Sequence, residues 1–232
     1  MGISIDSNNS TPDGTSEVPA TIVSTTTPTA SSTPNGTSET TTTIRQTPIS
    51  TAAAIAIAAR KYGIDANALR SSVCYHESAH AAVALDFGCT VREVQLTTIP
   101  SNSARVDVLR GLAPNSATLI QMTAGPLCDR QRNHHYQFSE AFLQEIEWCE
   151  CQSFERAMRR ALPQFNSAGA HALWQRYTND ARRIMALPRI QAFLDVLAAR
   201  LGAAIEAGEQ TVSGSEVTAL WNQRGVERES TT

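Results

Sequence analysis

His76, Glu77 and His80 are the residues whose types and spacing carry chemistry, in the string His76-Glu77-Ser78-Ala79-His80. On an α-helix, positions four apart lie about 40° round the axis and roughly 6 Å along it, so both imidazoles can reach one ion. A carboxylate beside such a pair can take a proton from a zinc-activated water and pass it to the leaving amine of a peptide. The string therefore reads as zinc hydrolase chemistry, with His76 and His80 as metal ligands and Glu77 as the catalytic base.

The same residues allow a plainer account, two core histidines with ordinary hydrogen-bond partners. Context favours the metal. Ser71 to Leu85 is an Ala-rich apolar stretch, with serines at its start and Gly88 as its stop, and histidines on such a helix are costly to bury without a partner.

The elements that must position these groups follow from periodicity. Thr51 to Tyr62 reads as a helix ending at Gly63, and Asp65 begins the unit that holds the motif helix, about Leu69 to Phe87. Thr90 to Ile99 alternates with period two and is stopped by Pro100, and Ala104 to Leu109 completes a hairpin or edge pair. Ser116 to Arg132 is helical, with a kink or break expected at Gly125-Pro126. Phe138 to Leu162, Ser167 to Leu187 and Arg189 to Ala207 are further helices stopped by Pro163, Pro188 and Gly208. Ser213-Gly214-Ser215-Glu216 fits a capping box for a final helix, Glu216 to Gln223.

The 232 residues suffice for one domain and a tail, and 41% hydrophobic residues supply a core for part of the chain. Residues 1–50 hold no Cys, Phe, Tyr or Trp and are dominated by Thr, Ser and Pro, so this segment is expected to be a disordered tail. An O-glycosylated stalk and a tether are its two functional readings; Asn8-Asn9-Ser10 and Asn35-Gly36-Thr37 match the N-glycosylation pattern, which has meaning only in a secretory compartment. No signal peptide follows Met1, no apolar run reaches bilayer length, and the five cysteines form no even framework. The expectation is a cytoplasmic protein with reduced thiols and no membrane span. A net charge of −3 without Lys/Arg runs excludes a nucleic-acid surface from the expected partners.

Three stretches together resemble the peptidase domain of the FtsH-type AAA proteases, in a short stand-alone form without the ATPase. Tyr75 to Val83 is similar to the family's Y-H-E-A-G-H-A. Met122 to Arg130 is similar to its helix with Ala-Gly or Gly-Gly followed by small residues and an acid, and Ser153-Phe154-Glu155-Arg156-Ala157 to its D-L-E-R-A. The resemblance spans roughly residues 71–162, and a strand ending in Ile99-Pro100 follows the motif helix as it does in that family. It implies a zinc metalloendopeptidase fold, a polypeptide substrate, and either a separate ATPase or a homo-oligomer as partner.

The resemblance also implies that the third zinc ligand stands where D-L-E-R-A begins, and this chain has Ser153 there, a poor ligand. A catalytic zinc needs three protein ligands and water. Glu150 and Cys149 lie three and four residues before Ser153 on the same helical face, and Glu150 is preferred because His2Glu is an established catalytic set. Cys151 faces away, and an ordinary helix surface remains an equal account of Cys149-Glu150-Cys151.

Of the remaining candidates, His134-His135 reads as a solvated pair or a cap, His171 has no partner at motif spacing, and Cys74 reads as core. Trp148, Trp174 and Trp221 read as packing anchors. The fold class expected is mainly α, a helical zinc-metallopeptidase-like domain over residues 51–224 with a small β-hairpin or short sheet, a disordered tail before it and a flexible C-terminus over 225–232. The function expected is Zn2+-dependent endoproteolysis, with a catalytically inactive zinc-stabilised binding module as the alternative.

Overall fold

The structure is a computed structural model; it describes residues 50–96, 105–108, 116–161, 164 and 166–225. Seven helices and a three-stranded antiparallel sheet make up these residues: α1 (Thr51–Tyr62), α2 (Ala66–Asp86), β1 (Val91–Gln95), β2 (Arg105–Val108), α3 (Ser116–Tyr136), α4 (Glu140–Ala161), α5 (Ser167–Met185), α6 (Pro188–Ala207), β3 (Thr211–Ser213) and α7 (Gly214–Gly225). The expected mainly helical class with a small sheet is what the chain forms. The tail expected over residues 1–50 lies outside the described residues but for Ser50, as do the loop Pro100–Ser103 and the chain beyond Gly225.

Local chemistry sets the helix ends. The Ser50 side chain accepts from the Ala53 amide, and Gly63 closes α1 in the left-handed conformation that a residue lacking Cβ adopts without strain. For α2 the cap is Asp65, whose carboxylate accepts from the Ala68 amide at 2.8 Å. The motif helix therefore starts three residues before the expected Leu69, and the cap is an aspartate rather than a serine. Pro188 opens α6 instead of merely ending α5, as a residue without an amide hydrogen can do at a first helical position.

The strand order is β2-β1-β3, with Val94 of β1 opposite Val106 on one side and Val212 on the other. The register slips between Val91 and Glu93, so Val91 and Val94 are both buried although three apart. Strand β3 was not anticipated; at three residues it offers no alternation to read. Gly214 follows it because an added Cβ would fall within 2.7 Å of the Arg92 backbone.

Helix α2 runs through the core, packed against α3 and α6, and every residue from Glu77 to Ala84 is buried. Its alanines let the neighbours approach closely. From α6 the fully buried Ile190, Phe193, Leu194, Leu197 and Leu201 repeat at helical spacing against it, each large side chain worth about 1.5–3 kcal/mol of burial. A second cluster of Leu119, Met122, Phe154, Met158 and Trp174 joins α3, α4 and α5, with the Phe154 and Trp174 rings edge to face at 5.5 Å.

Helix α3 runs on through Gly125-Pro126, where a kink or break was expected, so there is no break. Pro126 cannot donate to the Met122 carbonyl, yet every residue from Thr118 to Asp129 is buried, and that packing offsets the missing bond. Trp174 is an anchor as expected and Trp221 packs edge to face on Phe193, but Trp148 is 63% exposed and anchors nothing.

Candidate metal centre

Helices α2 and α3 meet along two stripes of residues spaced four apart, running in opposite directions. Ser72, His76 and His80 on α2 face Asp129, Gly125 and Gln121 on α3. The Ser72 hydroxyl donates to Asp129 Oδ1 at 2.7 Å, and His76 Nδ1 lies 2.7 Å from Asp129 Oδ2. His80 Nδ1 lies 2.7 Å from the Gln121 carbonyl oxygen.

A carbonyl oxygen only accepts, so His80 Nδ1 carries the hydrogen, and in the neutral ring the lone pair belongs to Nε2. The Asp129 carboxylate imposes the same tautomer on His76. Partners on Nδ1 that fix the ring and leave Nε2 available are the arrangement metal-binding histidines use. Gly125 makes room for it: an added Cβ would come within 2.6 Å of the His76 ring carbons Cδ2 and Cε1.

Glu150 arrives from α4, which the Phe154 and Met158 packing and the Arg130 bridge to Glu140 and Glu147 hold in place. One ligand atom from each of His76, His80 and Glu150 lies within 4.8 Å of the others, the group among the described residues able to hold a metal ion. The structure thus brings together the three residues expected as ligands. Glu77, expected as catalytic base, is buried at 6% exposure on the same turn of α2.

Charge around the imidazoles is negative. Burial lowers the His76 pKa, but Asp129, Glu77 and Glu150 together outweigh it and hold the imidazolium up to about 9. Burial raises the Glu150 carboxyl above its usual range, against the pull of His76. Three carboxylates crowded round two imidazoles form a donor set suited to a dication, and with both Nδ1 atoms partnered the residues fit one once His76 gives up its imidazolium proton.

Ser153, at the position where the resemblance puts a ligand, is engaged elsewhere: its hydroxyl donates to the Cys149 carbonyl at 3.1 Å and accepts from Arg156 at 2.9 Å. Cys149 is exposed and Cys151 packs on the second cluster, so neither joins the group. His134 and His135 are exposed in the last turn of α3, His171 bonds Gln175 on the surface, and Cys74 is buried in the core.

Asp129 entered the sequence reading only as the acid of the Met122 to Arg130 resemblance, with no role assigned, and Ser72 and Gln121 were given none. An acid at the end of the apolar run from Leu119 to Cys128, four residues after Gly125, was the available signal for the first; the Gln121 contribution is a main-chain carbonyl and leaves no signature in residue type.

No family model, curated protein or solved structure matches the chain.

Proposed function

We propose that the chain is a zinc-dependent metalloendopeptidase acting on polypeptides, of the FtsH-like kind. The observation that carries this reading is the pair of imidazoles whose Nδ1 atoms are both occupied, with Glu150 beside them and Glu77 buried on the same helix turn. His76, His80 and Glu150 would hold the ion, which would supply a Lewis acid for the scissile carbonyl and lower the pKa of water in the open position.

The residues of the chain do the rest. Asp129 and the Gln121 carbonyl keep the imidazoles oriented through their Nδ1 atoms, as outer partners of metal-binding histidines do. Glu77 accepts the proton of the attacking water and delivers it to the departing amine. Glu77 is buried on the turn of α2 that carries both histidines, which places its carboxylate beside them. Free thiols at all five cysteines accord with a reducing setting, and no helix among the described residues is long and apolar enough to cross a membrane.

A silent zinc-stabilised binding module is the second reading, favoured by Ser153 standing where the resemblance calls for an aspartate. Zinc content and casein hydrolysis, measured on wild type and Glu77→Gln, separate the two. One zinc per chain with hydrolysis lost in Glu77→Gln is the expected result. Zinc without hydrolysis in the wild type selects the silent module, and a chain purified without chelator that holds no zinc overturns both.

A further inference from the structure

Arg156 continues the face of α4 that carries Glu150 and Ser153, each three residues after the last. Its guanidinium donates from Nη2 to Ser153 Oγ at 2.9 Å, which draws it back along the helix toward Glu150, and its charge is felt there. Ser153 is fixed for this task, since its own proton goes to the Cys149 carbonyl. The arginines nearest it in the fold are paired: Arg159 on the same helix with Glu155, and Arg130 on α3 with Glu140 and Glu147 of α4. Arg156 is exposed and has no ion pair among the described residues.

We propose that Arg156 selects substrates for the metal centre by pairing its guanidinium with a substrate carboxylate, either an acidic side chain beside the scissile bond or a free C-terminus. This rests on the metallopeptidase reading above. A guanidinium presents a planar fork of N–H donors matched to a carboxylate, and one donor spent on Ser153 leaves the others to bind. Serine at 153 is what makes this available. An aspartate there would pair with Arg156 and cancel its charge; a hydroxyl orients the guanidinium and leaves it cationic.

The test uses zinc-loaded full-length protein and hexapeptides that differ only in carrying Glu or Gln, each with a free or an amidated C-terminus. Binding is measured by calorimetry on Glu77→Gln, which holds peptide without cleaving it, and hydrolysis on wild type. The expected result is binding at least about fivefold tighter for the peptide with the recognised carboxylate. A Glu-over-Gln difference identifies the side chain as the source; a free-over-amidated difference identifies the C-terminus.

Arg156→Ala should abolish the difference by raising KM with kcat unchanged, Arg156→Lys should keep part of it, and Arg156→Glu should favour a Lys peptide instead. Zinc content and circular dichroism should be unaltered in all three. Equal affinities across the set, a preference that survives Arg156→Ala, or no peptide binding overturns the proposal. Casein cleavage with charge-blind peptide binding removes this inference alone, whereas zinc-loaded wild type that cleaves neither casein nor peptides removes the metallopeptidase reading beneath it.

Discussion

Asp129 Oδ2 lies 2.7 Å from His76 Nδ1, and the other oxygen of the same buried carboxylate accepts from Ser72. Two helices are thereby tied at the ring that must present its other nitrogen to a metal. Outer partners of this kind typically control 10–100-fold in affinity. Asp129→Asn keeps the volume but loses the charge, so zinc affinity should fall by about 10–100-fold with the helical content intact. Competition with a chromophoric chelator measures the first and circular dichroism the second; unchanged affinity would make Asp129 a packing residue only.

Gly125→Ala tests the contact on the opposite side of that ring. Inside an exposed helix this exchange stabilises by about 1 kcal/mol. Here the new methyl would clash first with His76 Nε2, and with ring carbons Cδ2 and Cε1 at 2.6 Å, and overpacking of this kind costs about 1–3 kcal/mol. The expected outcome is a net loss of stability in denaturant titration together with weakened zinc binding, because His76 cannot keep both its place and its bond to Asp129. A gain in stability would show that the ring moves aside freely.

How far the sequence could be read depends on which groups carry the information. Helix α1 was legible at both ends because a serine cap and a left-handed glycine are local devices. His76, Glu77 and His80 were legible because helical spacing alone puts them on one turn, and Glu150 because it lies one turn before Ser153, where the resemblance puts the third ligand. The long-range pieces were not. Asp129 and Ser72 meet His76 only through the antiparallel register of α2 on α3, which no local pattern encodes. Gly125-Pro126 was read as a kink or break since proline in isolation costs a helix about 3 kcal/mol; the burial of the whole turn around it keeps the helix from breaking there. Trp148 was assigned to the core on residue type, and its 63% exposure shows that aromatic character alone does not fix the face of a helix.

The pH dependence should have opposite signs without and with metal. His76 is held at about 9 in the folded chain, above an ordinary value of 6.5, by Asp129, Glu77 and Glu150 against the effect of burial. A raised histidine contributes stability that is complete below its unfolded pKa and lost as pH climbs through the folded one. Metal-free protein should therefore lose stability between about pH 6.5 and 9, with a slope of at most about 1.4 kcal/mol per unit from this group. Zinc must displace that proton, so its affinity should rise by up to about tenfold per pH unit over the same window. Calorimetry at pH 7 in buffers of differing ionisation enthalpy should find about one proton released per zinc; none released would mean that His76 is already neutral.

The third ligand is open to a rescue experiment. Glu150→Gln removes the only carboxylate that the described residues place in the ligand group, and it should cost more than the loss of an outer partner, above about 100-fold in zinc affinity. Ser153 is one turn further along the same face of α4, its hydroxyl tied to Cys149 and Arg156. Ser153→Asp introduced into Glu150→Gln puts a carboxylate back on that face, and zinc affinity should recover by at least about tenfold if the turn can swing its side chain inward. In an otherwise wild-type chain the same change should pair with Arg156 and leave zinc affinity nearly unaltered, because Glu150 already completes the set. Chelator competition on the single and double variants reads all three values. Wild-type affinity in Glu150→Gln would show that zinc is held without Glu150, and failure of the double variant to recover would fix the ligand at position 150 alone.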